Sequence, residues 1–311
     1  MAESETQRWF GRDFTTEELE QVRETIRVFR RLSRYELVLT LCEHLGWVTP
    51  NGRYKEKACR QLLDRLEASG AVQVPPGRVT RRGREARPSL TSRTEAPREL
   101  AGKLADFAPI AVEPVGGREG NALWNEYVQR YHLLGYKRPF GAHQRYYILG
   151  ADGRERLGCF LFAASAWALA ARDAWIGWTP RDRSQRLNGV VNNTRFLIFP
   201  WVQIPNLASK ALALVTRRIR SDWQVRYGYK PVLLETFVDR TGYEGICYRA
   251  ANWIELGETA GRGRMDRYHE YRLSSKRIYV YPLVADFRAY LCGQRAYLND
   301  GSLPAEGDGD E

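Results

Sequence analysis

The sequence predicts an α+β protein in which a small helical module precedes a larger mixed β-sheet domain with crossover helices. Two observations predict this fold class. Residues 1–76 carry apolar side chains at helical spacing, whereas from about residue 143 runs of strand composition alternate with helical ones. With 311 residues, of which 43% are hydrophobic, the chain is long enough to bury a substantial core.

Two helix starts are marked in the N-terminal module. Thr15 with Glu18, and Ser33 with Glu36, both match the S/T-x-x-E capping box. In this box the hydroxyl accepts from the amide three residues on, and the glutamate reaches back to the amide of the first residue. We therefore predict helices that begin at these two positions.

A third helix and a short strand complete the predicted module. The run RYKEKACRQLLDRLEASG has a helical apolar face and leaves Lys57 and Arg60 outward, and AVQVPP is predicted as a strand. Helix, turn, helix and strand is the outline of a winged helix, whose third helix enters a major groove. We predict that Lys57 and Arg60 contact duplex DNA there. A helical module for protein interaction has the same outline, so both interpretations stay open.

Two segments lack the patterns of folded elements. Residues 77–104 have no apolar periodicity and are rich in Arg, Pro, Ser and Thr, so we predict a basic flexible linker. Residues 299–311 contain five acids and no base, which predicts an acidic disordered tail. The remainder, residues 105–298, is predicted to be one domain.

The core domain alternates strands and helices. The predicted elements are a helix in NALWNEYVQRYHLLG, two strands around an Asp-Gly turn in RYYILGADGRERLGCFLF, a strand in TRFLIFPWVQI, a helix after Pro205, a strand in PVLLETFVD, a short helix in CYRAANW and a final strand in IELGET. This order predicts a mixed sheet with crossover helices.

The same succession resembles the GNAT acyltransferase fold. That resemblance implies a glycine-rich loop that holds the pyrophosphate of coenzyme A at a helix N-terminus. The corresponding positions read Gln203, Ile204, Pro205, Asn206, Leu207 and Ala208. Both glycines are absent, and a proline has no amide to donate. We therefore do not expect acetyl-CoA as a cofactor.

A second resemblance covers most of the chain. The strings RYHLLGYKRPFGAHQRYYILG, ARDAWIGW, NNTRFLIFPWVQIPNLAS, DWQVRYGYKPVLLETFVD and GICYRAANWIELGETAGRGR are similar to the DruA family. This family is named for a component of the Druantia anti-phage defence system. The resemblance implies a role in anti-phage defence or in mobile elements, where related regions occur beside transposase domains. It implies no settled chemistry, so any mechanism has to come from the residues.

Two acids are candidate metal ligands. Asp173 lies just beyond one predicted strand, and Glu235 lies near the end of another. Two carboxylates at adjacent strand ends can hold a divalent ion such as Mg²⁺ or Mn²⁺, which activates water for strand cleavage. We therefore predict Asp173 and Glu235 as metal-binding and catalytic residues. The alternative is an internal ion pair of Asp173 with Arg172.

Tyr248 is a third candidate for catalysis. The GNAT resemblance implies a tyrosine near this position that protonates the leaving thiolate. In a fold without coenzyme A, a phenol there could attack a phosphate and form a covalent DNA intermediate. The alternative is a buried packing residue.

Positive charge favours a polyanionic partner. The formal net charge is +11, and residues 171–230 hold eleven basic side chains against three aspartates, with Trp175, Trp178, Trp201 and Trp223 among them. Arginine forks bind phosphate, and aromatic faces stack on bases. The predicted DNA contacts of the core are Arg172, Arg181, Arg183, Arg195, Asn206, Arg262, Arg264 and Lys276.

These patterns favour a DNA-binding and DNA-processing protein of defence or transposon origin. We expect duplex at the N-terminal module and single-stranded or distorted DNA at the core. A GNAT-like acyltransferase that modifies nucleic acid or protein, and a non-enzymatic DNA sensor or adaptor, stay open. A homodimer also stays open, as do partner proteins of a defence or transposition complex.

The cellular location is predicted from what the sequence lacks. The five cysteines show neither a CxxC pair nor zinc-ligand spacing, and no apolar run reaches about 18 residues. We expect a cytoplasmic protein that does not bind membranes.

Overall fold

The computed structural model describes residues 6–29, 31–74, 87–139, 141–151, 153–166, 168–240, 242–259 and 275–295. Its N-terminal module is a β-hairpin followed by three helices. The hairpin strands are β1 (Thr6–Trp9) and β2 (Arg12–Thr15), and the helices are α1 (Thr16–Val28), α2 (Arg34–His44) and α3 (Glu56–Ala68).

Both predicted capping boxes are confirmed. Thr15 Oγ1 accepts from the Glu18 amide at 3.1 Å, and Ser33 Oγ accepts from the Glu36 amide at 3.3 Å. The glutamates accept in return from the Thr15 and Ser33 amides at 3.2 and 2.9 Å. Local sequence is sufficient here because each cap is completed within three residues.

The strand predicted after α3 is not formed in residues 71–74. Val74 is buried in the hydrophobic core instead of pairing in a sheet, and the partly buried Val72 packs against the same core. The module's paired strands precede its helices, so the winged-helix prediction is not confirmed. The rest of the predicted strand, residues 75 and 76, lies outside the described residues.

The predicted linker is corrected over residues 87–104, which pack against the core. Thr94 Oγ1 donates to Glu126 Oε1 at 2.7 Å, and Thr91 Oγ1 donates to Glu126 Oε2 at 3.2 Å. A short strand β3 (Leu100–Ala101) pairs in parallel with β8 (Val202–Gln203). The segment is held by hydrogen bonds to distant residues, which apolar periodicity cannot indicate.

The core is a seven-stranded mixed sheet. Its strands are β4 (Ala111–Pro114), β5 (His143–Gly150), β6 (Glu155–Ala164), β7 (Val190–Ile198), β9 (Leu233–Asp239), β10 (Ile254–Glu258) and β11 (Lys276–Pro282), in the spatial order β10-β11-β9-β7-β6-β5-β4. The helices are α4 (Arg118–Tyr131), α5 (Ala170–Ile176), α6 (Pro180–Arg186), α7 (Leu207–Tyr227), α8 (Ile246–Ala250) and α9 (Phe287–Leu291). Among the described strands of this sheet, only β7 and β9 are parallel neighbours.

The predicted core elements occur in the predicted order, but β4, α5, α6, β11 and α9 were not predicted. IELGET forms β10, but β11 follows it in the chain and lies between β10 and β9. Ile278, Tyr279 and Val280 of β11 are fully buried, whereas β10 is a largely exposed edge strand. The pairing is a long-range contact, so IELGET cannot be recognised as an edge from its own composition.

The module and the sheet share one hydrophobic core. The ring of Phe29 meets the ring of Tyr229 edge to face at 5.1 Å, and Arg31 Nη1 donates to the carbonyl of Val225 at 3.1 Å. Both contacts place the module against the C-terminal end of α7. None of the described helices combines the length and apolar character needed to cross a membrane.

Acid pH should destabilise the protein through His44. Burial lowers the pKa of His44 from 6.5 to about 4. Between these values the unfolded chain binds a proton that the folded protein does not, so stability falls as the pH decreases from 6.5 towards 4. At pH 5 this one side chain should account for about 2 kcal/mol. Urea unfolding at pH 7 and pH 5 measures the loss. His44→Gln should lose less between the two pH values, and an equal loss in both proteins would contradict the assignment.

Candidate functional site

A buried ionic cluster lies on one face of the sheet and consists of Arg172, Asp173, Arg183 and Glu235. Arg172 Nη1 donates to Glu235 Oε2 at 2.8 Å, while its Nε and Nη2 donate to Asp173 Oδ1 at 2.9 and 2.8 Å. Arg183 Nη1 lies 3.0 Å from Asp173 Oδ2. We call these four residues the Arg172 cluster.

Sheet register and the β6–α5 connection position Glu235. Asn192 of β7 lies directly opposite Glu235 of β9 and donates through Nδ2 to Glu235 Oε1 at 3.2 Å. The amide of Ala166 donates to the same oxygen at 2.8 Å. Both oxygens of this fully buried carboxylate are therefore hydrogen-bonded.

The Arg172 cluster is electrically balanced. Burial by itself lowers the pKa of Arg172, but the charges of Glu235 and Asp173 raise it above its usual value. Two guanidinium groups face two carboxylates, which compensates the desolvation of each charge. Arg172 is also 5.4 Å from the Trp178 ring centroid and is completely buried.

This arrangement does not fit a site for Mg²⁺ or Mn²⁺. The guanidinium of Arg172 bridges Asp173 and Glu235, so a metal ion between the two carboxylates would have to displace a buried cation. Within the part of the chain that is described, no group of three or more His, Cys, Asp or Glu side chains could hold a metal ion. The internal ion pair is the alternative that the geometry supports.

The prediction that Arg172 contacts DNA is wrong. Its side chain is fully buried and its nitrogens are bonded to carboxylates and to the carbonyl of Ala166. Arg183 is partly exposed but is paired with Asp173. Arg172 is neutralised by its sequence neighbour Asp173 together with the distant Glu235, and Arg183 by Asp173 ten residues away.

Tyr248 lies on the opposite face of the sheet, where the parallel strands stop pairing. The pairing covers only Val190–Asn193 of β7 and Leu233–Thr236 of β9. Tyr248 Oη accepts from Asn193 Nδ2 at 3.2 Å and from Thr236 Oγ1 at 3.5 Å. Its ring stacks on Tyr279 with a centroid distance of 5.6 Å.

This environment does not suit a nucleophile. Tyr248 is 6% exposed, and burial raises the pKa of its phenol well above the usual value. Its hydrogen-bond partners among the described residues are the side-chain amide of Asn193 and the hydroxyl of Thr236, neither of which is basic. The protonated, enclosed phenol supports the interpretation of Tyr248 as a packing residue.

The other predicted contacts are spread over the molecule. Arg181, Lys57 and Asn206 are exposed, whereas Lys276 and Arg195 are partly buried, and Arg60 lies 3.2 Å from Glu56. Arg262 and Arg264 lie outside the described residues. The described members of this set belong to α3, α6, β7, the residue before α7 and β11.

The tryptophans are mostly unavailable for stacking on bases. Trp178, Trp201 and Trp223 are 8%, 7% and 0% exposed. Trp175 is partly exposed, but its ring stacks on Phe287 at 5.0 Å. At least three of the four rings thus belong to the core.

The outward side of α7 carries two basic side chains that were not among the predicted DNA contacts. Lys210 and Arg217 are exposed, and neither forms an ion pair with any described carboxylate. Arg218, by contrast, is paired with Asp222 at 2.7 Å and Glu113 at 3.1 Å. The seven-residue spacing of Lys210 and Arg217 was the available signal, because it places both on one side of a helix.

Comparison with known proteins identifies the family. The model of the family described as "Druantia protein DruA" matches residues 80–272, which is more than half of the chain. The chain belongs to the DruA family. This confirms the resemblance expected from the sequence strings. No curated protein matches this DruA-family chain.

Several solved acetyltransferases share a weak structural likeness with it. Spermidine/spermine N-acetyltransferase SpeG from Vibrio cholerae is 9% identical, with a TM-score of 0.34, and the match covers 56% of this chain and 92% of SpeG. A probable GNAT-family acetyltransferase from Chromobacterium violaceum is 11% identical, with a TM-score of 0.36 and coverage of 68% and 96%. At these values the likeness assigns no activity, ligand or residue role to the DruA-family chain.

Removing one carboxylate from the Arg172 cluster should destabilise the fold. Glu235→Gln leaves a buried guanidinium without its full counter-charge, so the free energy of unfolding should fall by about 3 kcal/mol or more. Urea denaturation measures this loss. Glu113→Gln is the matched control, because Glu113 pairs with Arg218 at the surface and its loss should cost about 1 kcal/mol or less.

Chelation distinguishes the ion pair from a metal site. EDTA should leave the denaturation midpoint of the wild-type protein unchanged, because Arg172 supplies the positive charge between the carboxylates. A drop on EDTA treatment that matches the effect of Glu235→Gln would overturn this account.

Proposed function

We propose that this DruA-family protein binds DNA in anti-phage defence, and that its described surface serves binding rather than strand cleavage. The observation that carries the proposal is the outward side of α7, where Lys210 and Arg217 are exposed without a carboxylate partner among the described residues. Unpaired cations on a fixed scaffold are available to phosphates.

α7 is a rigid support for these charges. It is 21 residues long, and its inner side buries Leu212, Val215 and Trp223 in the core. Lys210 and Arg217 are therefore held about 10 Å apart along the helix axis. Because DNA presents a charge about every 1.7 Å of duplex, the two side chains can reach separate phosphates.

The N-terminal module supports duplex binding less strongly. On α3 the exposed Lys57 is near Arg60, which pairs with Glu56, and Arg34 of α2 is paired with Asp64 and Glu67. The basic side chains of this module are thus partly neutralised. The proposal accordingly places the main duplex contact on α7.

Strand cleavage is not part of the proposal. In the Arg172 cluster the carboxylates are already neutralised by Arg172, so they are not available as metal ligands. Tyr248 is enclosed and protonated, so it does not present a nucleophile to a phosphodiester. A binding protein whose partners act on the DNA is consistent with these observations.

Charge reversal on α7 tests the proposal. The double variant Lys210→Glu with Arg217→Glu should bind a labelled duplex at least about tenfold more weakly, and the slope of log K against log salt should fall by about 2. Gel retardation and fluorescence anisotropy at several salt concentrations measure both effects. Arg154→Glu, an exposed arginine in the β5–β6 turn, is the matched control. Wild-type affinity in the α7 variant would disprove the proposed contact.

Acetyl-CoA should not bind at the start of α7. Pro205 donates no amide there, and Tyr248 occupies the region where β7 and β9 stop pairing. Acetyl-CoA at about 1 mM should therefore leave the melting temperature within about 1 °C of the ligand-free value. A larger, saturable rise would favour the acyltransferase alternative, with free coenzyme A as the control for non-specific binding.

A further inference from the structure

An open cleft beside the C-terminal end of α4 carries positive charge without a neighbouring acid. It has a volume of about 480 Å³ and is lined by residues 132–138, by Gln129 and by Arg87. Its charged lining residues are Arg87, Lys137 and Arg138, and no described carboxylate lines it or pairs with these three. We call it the α4 cleft.

The loop that forms the α4 cleft is held in one conformation by its own hydrogen bonds. The amide of Leu134 donates to His132 Nδ1 at 3.1 Å, and the amide of Gly135 donates to the His132 carbonyl at 2.7 Å. The amide of Tyr136 donates to Gln129 Oε1 at 3.3 Å. Gly135 has φ +57°, which favours glycine. The cleft is therefore preorganised, which lowers the entropic cost of binding.

Further positive charge lies beneath the loop. Arg195 Nε donates to the Gly135 carbonyl at 3.2 Å. Arg195 of β7 lies opposite Leu161 of β6, and Leu161 lies opposite the buried Arg145 of β5. The two arginines therefore lie in one row across the sheet. Neither arginine forms an ion pair with a described carboxylate. Burial, together with the charge of Arg195, lowers the pKa of His132 to about 4, so at neutral pH His132 is uncharged and accepts the Leu134 amide.

The rim of the α4 cleft is apolar. Leu133 and Leu134 are 76% and 51% exposed, although the loop is well fixed. Tyr136 adds a half-buried aromatic ring. Two neighbouring cations can bind the phosphate of a nucleotide, and the apolar and aromatic surface beside them can contact its base. The volume lies within the range of about 300–1,000 Å³ that is usual for small-ligand sites.

We propose that the α4 cleft binds a nucleotide of single-stranded DNA, with its phosphate at Lys137 and Arg138 and its base against Leu133, Leu134 and Tyr136. This inference rests on the proposed DNA binding and adds a site for an unpaired strand. Arg138 is suited to the phosphate because its guanidinium is already oriented over the Tyr35 ring at 4.5 Å. A paired base in a duplex cannot enter such a cleft without leaving its stack.

The test compares a labelled oligothymidine single strand with a labelled hairpin duplex by fluorescence anisotropy. The double variant Lys137→Glu with Arg138→Glu should bind the single strand at least about tenfold more weakly, with a salt slope reduced by about 1.4. Its affinity for the duplex should stay within about twofold of wild type. Both residues are exposed, so circular dichroism should show an unchanged fold.

Two further variants separate charge from apolar contact. Leu133→Ser with Leu134→Ser should weaken single-strand binding several-fold but leave the salt slope unchanged, because no cation is removed. Arg154→Glu should behave as wild type, since the β5–β6 turn lies at the end of β5 remote from residues 132–138.

The outcomes distinguish this site from the α7 contact. Wild-type single-strand affinity in Lys137→Glu with Arg138→Glu would overturn the nucleotide site, even if the α7 variant lost duplex binding. Equal weakening for both DNAs would also overturn it, because it would show a general electrostatic effect. If the leucine variant lost binding to anionic lipid vesicles but kept single-strand binding, the cleft would be a membrane contact instead.

Discussion

The buried guanidinium of Arg172 between Glu235 and Asp173 is the interaction on which the centre of the molecule depends. It joins α5 to β9, and through the Ala166 carbonyl and amide it also fixes the chain that leaves β6. Buried charges are tolerated only when they are fully paired, so Ala166, α5 and Arg183 of α6 have to adopt one arrangement. Arg183 completes the set by neutralising the second oxygen of Asp173.

This constraint divides the basic residues into two groups. Arg172, Arg183 and Arg218 are paired with acids and act within the fold, whereas Lys210, Arg217, Lys137 and Arg138 have no described acid partner. Of these seven residues, only the second group is available to an external anion. The net charge of +11 therefore does not show where DNA would bind, because it is a sum over the whole chain and carries no information on position. Membership of the DruA family supplies the defence context but does not select between these groups.

Local sequence predicted the parts of the fold that are completed locally. The capping boxes at Thr15 and Ser33 and the hairpin of β5 and β6 all form from contacts between near neighbours. The errors concern contacts across the chain. Residues 87–104 looked like a linker because Glu126, which binds Thr91 and Thr94, lies more than thirty residues away. β11 was not predicted, and the winged helix is not confirmed, because the paired strands of the module precede its helices.

The sequence by itself determined the family, the α+β class, most helices and strands, and the presence of excess positive charge. These depend on composition, periodicity and long characteristic strings, which can be read in order along the chain. Only the tertiary structure decided which charges are free. Arg172 of α5 and Glu235 of β9 are 63 residues apart and meet only in the folded chain, where an expected DNA contact and an expected catalytic residue form one internal ion pair. The same folding leaves Lys137 and Arg138 beside an open cleft, since no described acid reaches them.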